Sequence, residues 1–576
     1  MKINKNVLWC NFLTDELIKL GLKNVCISPG SRSTPITYAV AKRKELKKFV
    51  IIDERSSAYF ALGIAKRTKE PTVIICTSGT AAAEFYPAII EAYKSHVPLL
   101  ILTADRPKGY FKLGANQTIN QDNLYKNHIH SFYDMGLPEV SLGRFESLKK
   151  FITEAYFNCK TFQAPVHINL PFAKPLEPKT FTDDVDESFL KQIIKLKIPS
   201  PEISLKTDSK LLIELKKNLE KVKSGLIICG PANFDENDKK YILQLSEDFN
   251  FPIIAEASSN LRINHKNIIS EYDAILRLKE IYSNITPEVI LHFGGTLTSN
   301  VLENFISASS NYYLINQYDA WHNPKNNAKG LIKLNAYEFC YDVLKSIKNN
   351  FDDNYLKCLR KLNDKAISIK NNILDEEDFL TESEAIKNII NVTPDNSNLI
   401  ISNSMPIRDA EYFVTSLKKN IKVYNNRGTS GIDGVISTAS GLAADGKRTF
   451  LIIGDLSFFY DINSLINIRN YKLPITIFII NNNMGGIFNS LPIREQKDVL
   501  SKYFLTPLNL NFSPIVKAFD IPYHQISEKI YFSEIISDII KKNKQIVIDV
   551  KVDNDISHKL RLKYWKKVKT SLLSEL

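Results

Sequence analysis

The chain contains 576 residues, of which 44% are apolar and 24% charged, a composition typical of a globular protein long enough for two to four domains. No apolar run approaches the ~18 residues that a membrane-spanning helix needs, and the N-terminal residues predict an amphipathic helix without the apolar region of a signal peptide, so we expect a cytoplasmic protein. Because the lysines behind the net charge of +12 are interspersed with acids, the charge is weak evidence for a nucleic-acid partner and suits small anionic substrates equally well.

The first third of the chain alternates apolar runs with helical patterns. Strands are predicted at residues 24–28, 49–52, 72–76 and 99–103, and a polar or glycine-containing turn follows each of them. Regular alternation of strand and helix predicts a parallel sheet with helices on both faces, and the turns then line one edge of that sheet.

Two stretches without periodicity divide the rest of the chain. The first, about residues 171–208, contains five prolines, and the second, about residues 348–378, is polar and rich in asparagine. Both predict domain boundaries. Between them, strands predicted at 226–229, 253–255, 289–293 and 312–315 form a second α/β unit, which lacks Gly-x-Gly-x-x-Gly and so gives little support to a dinucleotide site.

The last third predicts strands at 399–402, 422–424, 450–453, 475–480 and 546–550. The resulting domains are 1–178, 209–348 and 379–555, followed by a basic tail at 556–576. A basic amphipathic helix in this tail would fit either contact with a membrane surface or packing on the protein itself, and packing is the more common case. The seven cysteines form no Cys-x-x-Cys pair and predict buried, reduced thiols.

The apolar runs at 449–453 and 475–480, with a helical pattern between them, predict a strand, a helix and a second strand. Asp455 follows the first strand, and Asn481, Asn482 and Asn483 follow the second. Since a right-handed parallel crossover brings both carboxyl ends to one sheet edge, these side chains should lie side by side. A carboxylate, amide oxygens and backbone carbonyls suit Mg²⁺, with phosphate and water completing the shell. A helix cap at Asp455 beside an asparagine turn explains the same residues equally well.

Glu54 follows the strand predicted at 49–52 and precedes an alanine-containing helix. Apolar surroundings at the sheet edge would raise the proton affinity of its carboxyl group. The common alternative is an acid in the first turn of a helix, stabilised by the helix dipole.

Glu54 in the first domain together with Asp455 and Asn482 in the last resembles the thiamine diphosphate-dependent enzymes, which place a third domain between these two. The turns SPGSRSTP, DERS, TSGTA, LTADRP and GANQTI, followed by SNS-x-x-x-R, NRGTSGIDG, GDLS, NNN and GGIF, are similar in order to one family in particular. That family is the 2-succinyl-5-enolpyruvyl-6-hydroxy-3-cyclohexene-1-carboxylate synthases of the menaquinone and phylloquinone pathway. The resemblance implies an α/β fold of three doubly wound parallel-sheet domains.

The resemblance also implies which residues hold the cofactor, thiamine diphosphate. Glu54 would hydrogen-bond the pyrimidine N1′ and favour the imino tautomer that deprotonates thiazolium C2, while Ile432 would keep the cofactor bent. Asp455, Asn482 and the backbone carbonyl of Met484 would bind Mg²⁺ or Mn²⁺, which holds the diphosphate. The other implied cofactor contacts are Ser78, Gly79, Leu456, Ser457, Gly485, Ile487 and Phe488.

The implied reaction is decarboxylation of 2-oxoglutarate and conjugate addition of the succinyl carbanion equivalent to isochorismate. Two dicarboxylates must then be bound, and arginine pairs with carboxylate through two hydrogen bonds without losing its charge. The implied substrate residues are Arg32, Arg106, Arg408 and Arg427, supported by Ser31, Asn116, Gln117 and Ser404. Ile487, Phe488 and Leu491 would form an apolar wall, and the assembly would be a homodimer or homotetramer with active sites between subunits.

Two positions depart from the pattern of the family. Ser299-Asn300-Val301 stands where a basic pair is common, and Met484 stands where glycine is usual, which is tolerable if its φ is negative. The alternatives are an acetolactate synthase-like enzyme, another 2-oxo acid decarboxylase, or a non-catalytic paralogue that binds the cofactor. The histidine pair typical of pyruvate decarboxylases is absent from the first domain.

Overall fold

The computed structural model describes residues 1–197, 209–318, 320–348, 351–418 and 420–574. The strands in chain order are β1 (Lys2–Ile3), β2 (Asn24–Ile27), β3 (Lys47–Val50), β4 (Thr72–Cys76), β5 (Leu99–Asp105), β6 (Ser131–Asp134), β7 (Val166–Pro171), β8 (Asp183–Asp184), β9 (Gly225–Cys229), β10 (Ile253–Ala255), β11 (Val289–Phe293), β12 (Tyr312–Ile315), β13 (Gly330–Ile332), β14 (Asn398–Ile401), β15 (Lys422–Tyr424), β16 (Thr449–Gly454), β17 (Ile475–Asn481), β18 (Tyr523–Ile526) and β19 (Ile546–Lys551).

The α-helices are α1 (Lys5–Lys19), α2 (Thr34–Ala41), α3 (Glu54–Thr68), α4 (Thr80–Glu84), α5 (Tyr86–Lys94), α6 (Leu142–Phe162), α7 (Glu187–Ile194), α8 (Ser209–Leu219), α9 (Glu236–Phe249), α10 (Tyr272–Leu276), α11 (Tyr282–Ile285), α12 (Asn300–Ile306), α13 (Ala336–Ser346), α14 (Asn354–Asp375), α15 (Glu382–Val392), α16 (Met405–Phe413), α17 (Val435–Leu442), α18 (Asp455–Tyr460), α19 (Leu465–Asn470), α20 (Lys497–Tyr503), α21 (Phe512–Lys517), α22 (Phe532–Lys542) and α23 (Asn554–Leu573). Short 3-10 helices include Tyr110–Leu113, Ile462–Ser464 and Gly486–Ser490. None of the helices in the described ranges is long and apolar enough to cross a membrane.

The chain divides into two compact units. The first contains the described parts of Met1–Ser204 together with Asn426–Gly446 and Tyr460–Leu473, and the second contains the remaining described residues. Two segments within the predicted domain 379–555, residues 426–446 and 460–473, belong to the first unit. These segments include the glycine-rich turn after β15 and the helices α17 and α19.

Three parallel sheets form the framework. In the first unit the sheet order is β3-β2-β4-β5-β7-β6, and in the second unit one sheet has the order β15-β14-β16-β17-β19-β18. Both orders read 2-1-3-4-6-5 within their own sheet, so the two topologies are the same. The other sheet of the second unit has the order β10-β9-β11-β12-β13, and all its neighbours are parallel as well. The predicted α/β class with three parallel sheets is confirmed.

This strand order determines where ligands can bind. In each six-stranded sheet the winding direction reverses between the first and third strands, which opens a crevice at their carboxyl ends. In the first unit the crevice lies beyond β2 and β4, whose turns contain Ser31, Arg32, Ser78 and Gly79. In the second unit the corresponding crevice lies beyond β14 and β16, where Ser404 and Asp455 follow.

Both faces of the first sheet are covered. Val73 and Ile75 of β4 belong to a core that includes side chains of α1 and α6, while Ile74 and Cys76 are buried on the opposite face. A strand covered on both faces needs apolar residues at every position, which explains its continuous apolar run.

Besides β1 and β8, which pair with each other, the sequence misses four strands of the three parallel sheets, although it predicts the central strands well. Of these, β6, β13 and β18 are edge strands, and β18 has the sequence YHQI with two exposed residues. Edge strands bury fewer side chains and so lack the apolar run that marks a strand. The fourth, β7, is internal, but its polar His167 and Asn169 are buried and interrupt the apolar pattern.

The stretches predicted as boundaries contain ordered structure. Residues 348–378 include the 22-residue helix α14, whose Leu356, Leu359 and Ile373 are buried in the second unit, so the polar composition does not mark an extended linker. Of the proline-rich stretch 171–208, residues up to 197 contain β8 and α7, and residues 198–208 lie outside the described ranges.

The basic tail is a helix packed on the protein. Leu560, Tyr564, Val568 and Leu572 of α23 are buried in a core of the second unit together with residues of α10 and α14. The apolar face of α23 is thus covered, and the prediction of a packed terminal helix is confirmed.

Candidate active site

In the first unit the turn after β2 is hydrogen-bonded to the turns after β4 and β7. The backbone N–H of Arg32 donates to Thr77 Oγ1 at 3.2 Å, and its Nη1 donates to the carbonyl of Phe172 at 2.8 Å. Arg32 is buried, whereas the preceding Ser31 is exposed. The turn after β4 therefore holds the backbone of Arg32, and the turn after β7 holds its guanidinium group.

Arg32 and Arg106, both predicted to bind substrate, act electrostatically on each other. Burial first, and then the positive charge of Arg106, lower the pKa of Arg32. The buried Nε of Arg106 has no hydrogen-bond partner among the described residues. Two neighbouring guanidinium groups with an unsatisfied donor suit a carboxylate ligand, which would offset their repulsion.

The turn after β4 is connected to the loop that contains Asn116 and Gln117. Ser78 Oγ donates to the carbonyl of Gln117 at 3.0 Å, and Gln117 Nε2 donates to the carbonyl of Ser78 at 3.2 Å. The N–H of Gly79 donates to Gln121 Oε1 at 3.3 Å. These hydrogen bonds bring Ser78, Gly79 and Gln117 together. Asn116 is exposed.

Gln121 and Asn169 are positioning residues that the sequence did not reveal. Gln121 Nε2 donates to Asn169 Oδ1 at 2.9 Å, and Asn169 Nδ2 donates to Asp105 Oδ2 at 3.1 Å. Asp105 Oδ1 in turn accepts the N–H of Arg106 at 2.7 Å. A polar chain therefore connects the turn containing Gly79 to Arg106.

Glu54 is the first residue of α3, directly after its N-cap residue Asp53. The side chain is half-buried, and burial is the main cause of a raised pKa, to which Asp53 and Glu84 also contribute. A carboxyl group with increased proton affinity is what the proton-holding role expected for Glu54 needs.

Helix α3 packs backbone to backbone against α17. A Cβ atom at Gly63 would lie 2.1 Å from the carbonyl oxygen of Thr438, and one at Gly441 would lie 2.0 Å from that of Phe60. Only glycine permits this approach at both positions. Because α17 follows the turn that contains Arg427 and Ile432, the contact brings this turn and the helix of Glu54 into one unit.

The same turn is fixed by Glu91, a buried acid of α5. Its carboxylate accepts hydrogen bonds from Lys66 Nζ at 3.1 Å, Ser95 Oγ at 2.6 Å, and the N–H groups of Gly428 and Thr429 at 3.0 and 2.8 Å. Glu91 therefore anchors the residues next to Arg427. Its signal in the sequence is an acid on the apolar side of α5, beside Ala88 and Ala92.

A second buried acid, Asp461, contacts Arg55 in the first turn of α3. It accepts hydrogen bonds from the N–H of Ser437 at 2.8 Å and from Ser464 Oγ at 2.8 Å, and it pairs with Arg55 at 3.4 Å. Burial raises its pKa to about 6. Asp461 connects the residue next to Glu54 with α17 and the segment before α19.

In the second unit, β16 and β17 place Asp455 beside the asparagine cluster. Gly454 pairs with Ile480, so Asp455 and Asn481 follow at the same sheet edge, as predicted. Asp455 Oδ1 accepts the N–H of Leu456 at 3.0 Å, and its buried Oδ2 has no partner within the described ranges. Burial, aided by the charge of Glu382, raises its pKa to about 7.

The bend after β17 presents two further oxygens. Among the described residues, Asn482 Oδ1 accepts only the N–H of Met484, at 3.0 Å, and the carbonyl of Met484 accepts the N–H of Gly486 at 2.9 Å, so each oxygen retains a lone pair. The positive φ of the bend falls on Asn483, at 59°, and not on Met484. Together with Asp455 Oδ2, these two oxygens suit a hard divalent cation whose remaining ligands would be oxygens of phosphate and water.

The other predicted residues of the second unit surround this edge. Ser404 caps α16 with φ of 71° and ψ of −131°, a strained conformation, and its carbonyl accepts Arg408 Nη1 at 2.7 Å. Ser457 is buried and Leu456 half-buried, while the N–H of Gly485 donates to the carbonyl of Leu505 at 2.7 Å. Ile487 and Phe488 lie in the 3-10 helix Gly486–Ser490, followed by the exposed Leu491.

Ser299, which stands where a basic residue is common in the family, has a structural role. Ser299 caps α12 and donates through Oγ to Asp273 Oδ2 at 2.7 Å. Ser299-Asn300-Val301 is thus the start of a helix and does not provide a cationic site.

Three family profiles match successive parts of the chain. The profile described as "Thiamine pyrophosphate enzyme, N-terminal TPP binding domain" matches residues 10–124, the one described as "Middle domain of thiamine pyrophosphate" matches 205–401, and the one described as "Thiamine pyrophosphate enzyme, C-terminal TPP binding domain" matches 410–550.

Individual relatives are similar over nearly the whole length. The 2-succinyl-5-enolpyruvyl-6-hydroxy-3-cyclohexene-1-carboxylate synthase of Bacillus cytotoxicus is 34% identical over 561 residues, covering 96% of this chain and 95% of that protein. The protein of the same name from Trichodesmium erythraeum is 34% identical over 571 residues, covering 97% of each.

A solved structure of a candidate thiamin diphosphate-dependent enzyme from Mycobacterium smegmatis is similar with a TM-score of 0.67. It covers 95% of this chain and 99% of that one at 15% identity, so this likeness supports the fold alone. The family profiles and the relatives at 34% identity agree with the geometry of the two crevices. The chain therefore belongs to the thiamine pyrophosphate enzyme family, in the branch that contains the 2-succinyl-5-enolpyruvyl-6-hydroxy-3-cyclohexene-1-carboxylate synthases.

Proposed function

We propose that this protein catalyses the thiamine diphosphate-dependent decarboxylation of 2-oxoglutarate and the conjugate addition of the resulting succinyl group to isochorismate. The products are 2-succinyl-5-enolpyruvyl-6-hydroxy-3-cyclohexene-1-carboxylate and CO₂, in menaquinone or phylloquinone biosynthesis. The relatives of that name support the proposal, and one observation of the structure carries it. Burial and the charge of Arg106 lower the pKa of Arg32, and within the described ranges the buried Nε of Arg106 has no hydrogen-bond partner.

The residues of the second unit would hold the cofactor through its metal ion. Asp455 Oδ2, Asn482 Oδ1 and the carbonyl of Met484 would bind Mg²⁺ or Mn²⁺, and Ser457 lies in the first turn of α18, where the helix dipole favours an anion. When bound, thiamine diphosphate supplies a nucleophilic carbon and an acceptor for the electrons that loss of CO₂ releases.

Glu54 would hold a proton at the pyrimidine N1′ of the cofactor. Its raised pKa supports this role, because a carboxyl group that retains its proton more strongly donates and recovers it near neutral pH. The proposed contacts of Ser78, Gly79 and Ile432 would orient the same ring.

The four arginines would bind the substrate carboxylates. We assign Arg408 and Arg427 to 2-oxoglutarate and Arg32 and Arg106 to isochorismate, since a second arginine for a second carboxylate distinguishes a dicarboxylate from pyruvate. Ser31, Asn116, Gln117 and Ser404 would support these contacts. Ile487, Phe488 and Leu491 would exclude water from the reacting carbon, and the proposed assembly is a homodimer or homotetramer.

The test is loss of isochorismate absorbance with 2-oxoglutarate, thiamine diphosphate and Mg²⁺, compared with turnover of pyruvate by the same preparation. Arg106→Ala should reduce kcat/KM for isochorismate by roughly tens to thousands of fold, equivalent to about 2–5 kcal/mol for an unpaired buried anion. The control is Arg43→Ala, which removes a surface pair with Asp15 and should leave kcat/KM unchanged. Turnover of pyruvate as fast as 2-oxoglutarate, or no consumption of isochorismate, would replace this proposal by an acetolactate synthase-like reaction.

A further inference from the structure

The buried carboxylate of Glu382, the first residue of α15, connects the C-terminal helix to the bend after β17. Its Oε1 accepts Asn482 Nδ2 at 2.6 Å and Asn554 Nδ2 at 3.2 Å, and its Oε2 accepts a hydrogen bond from Arg561 Nη2. The Glu382 side chain is 1% exposed. No sequence pattern indicates this contact, because Glu382 and Asn482 lie in different parts of the last third.

Helix α23 fixes Glu382 from one face. Asn554, Ser557 and Arg561 are spaced so that their side chains lie on the same side of the helix. Ser557 Oγ accepts the backbone N–H of Glu382 at 3.0 Å. Arg561, 2% exposed, also donates to both carboxylate oxygens of Asp409 at 2.7 and 2.6 Å, so its guanidinium group has no freedom to turn away.

The chemistry of these groups decides how the Asn482 amide is oriented. A carboxylate accepts hydrogen bonds and donates none, so Asn482 must present its NH₂ group to Glu382. The amide oxygen then points away from Glu382, where it accepts the N–H of Met484. Mg²⁺ and Mn²⁺ take oxygen ligands in such sites, and an amide NH₂ group has no lone pair to offer.

We infer that Glu382 is a positioning residue that selects the oxygen of Asn482 for the divalent cation, and that α23 holds Glu382 in place for this purpose. The inference rests on the proposed function, because it takes Asn482 as a metal ligand. Packing supports the connection, since Asn489 Nδ2 donates to Asn554 Oδ1 at 2.5 Å. A Cβ atom at Gly486 would lie 2.2 Å from Asn554 Nδ2, so α23 and the bend are in direct contact.

The primary test is Glu382→Gln. Arg561 needs an acceptor, so the glutamine oxygen should stay beside it and the glutamine NH₂ group should face Asn482. Two donors then oppose each other, and the Asn482 amide turns its nitrogen toward the cation. We expect Mn²⁺ affinity in the presence of thiamine diphosphate to fall about 10- to 100-fold, the usual range for residues behind a metal ligand, measured as free Mn²⁺ by electron paramagnetic resonance.

The matched control is Glu384→Gln. Glu384 lies in the first turn of the same helix and pairs with Lys529 at 3.4 Å instead of contacting the bend. Its Mn²⁺ affinity should equal that of the wild type. Circular dichroism and gel filtration check that each variant is folded.

A rescue distinguishes orientation from general support of the fold. In Glu382→Gln/Asn482→Asp the glutamine NH₂ group can donate to one oxygen of the new carboxylate while the other faces the cation. We expect Mn²⁺ affinity to recover by at least about tenfold relative to Glu382→Gln. If Glu382 only supports the fold, Asn482→Asp changes Mn²⁺ affinity by the same factor in the wild type and in Glu382→Gln, and the inference is overturned.

Asn482→Asp alone provides a second route if Glu382→Gln does not fold. An additional carboxylate ligand would ordinarily tighten cation binding, but here it opposes the carboxylate of Glu382. The inference predicts weaker Mn²⁺ binding than in the wild type, and tighter binding would overturn it. A wild-type protein that binds neither Mn²⁺ nor thiamine diphosphate would refute the proposed function instead, whereas wild-type binding with unchanged affinity in Glu382→Gln refutes the inference alone.

Discussion

Glu91→Gln is the substitution whose effect the structure defines most closely. Glu91 is 1% exposed, and its two oxygens accept hydrogen bonds from Lys66, Ser95, Gly428 and Thr429. Glutamine offers one acceptor oxygen in place of two, and its NH₂ group must face a donor on the other side. The turn that contains Arg427 then loses its anchor at one of the two N–H groups.

The cost follows from two changes. An N–H group buried without an acceptor costs about 1–3 kcal/mol. Lys66, 9% exposed at its side chain, loses its buried anionic partner, and breaking such a pair costs about 3–5 kcal/mol. Because the two changes share one site and do not add, we expect about 3–5 kcal/mol of local destabilisation.

Hydrogen–deuterium exchange at the amides of Gly428 and Thr429 measures this change directly. Since each 1.4 kcal/mol corresponds to a factor of ten, their exchange should accelerate by roughly 10²- to 10³-fold. The control Glu70→Gln removes a surface pair with Lys160, worth less than about 1 kcal/mol. The reasoning is refuted if exchange at these two amides rises no more in Glu91→Gln than in Glu70→Gln.

Three other predictions test the proton chemistry and the cation site. Asp455→Ala should lose most of its Mn²⁺ and diphosphate affinity with an unchanged circular dichroism spectrum, because the residue lies at a strand end; wild-type affinity would contradict the metal assignment. Glu54→Gln should slow exchange of the cofactor C2 proton by orders of magnitude with little change in cofactor affinity, and unchanged exchange by NMR would point to another acid. The pKa of Asp461 rises from 3.8 to about 6 in the folded protein, so its stabilisation is complete below about pH 4 and is lost as pH rises through about 6. At 1.36 kcal/mol per unit, the destabilisation by Asp461→Asn should be about 3 kcal/mol smaller at pH 7 than at pH 3, and equal values would contradict the buried-charge argument.

The amino-acid sequence determined most of the framework by itself. Fully covered strands such as β4 and β17 consist mostly of apolar residues, so their apolar runs stand out without any tertiary information. Asp455 and Asn482 could be placed at one edge because the right-handed crossover between β16 and β17 leaves no alternative.

Other features needed the tertiary structure because their partners are distant in the chain. The local sequence of α14 resembles that of a polar linker, because its apolar residues are few. They stabilise a helix only by packing against the core that α14 covers. The edge strands β6, β13 and β18 exist because a neighbouring strand provides hydrogen bonds, and their own side chains give a weak signal.

The buried acids show the same limit at the site itself. Glu91, Asp461 and Glu382 are ordinary acids in the sequence, and each becomes a positioning residue only when donors from remote segments surround it. The sequence determined which residue types reach the sheet edge, because strand order and turn position follow from local patterns. Which oxygen or nitrogen of those residues faces a ligand was decided by the tertiary structure, because burial forces every polar atom to find a partner wherever the fold provides one.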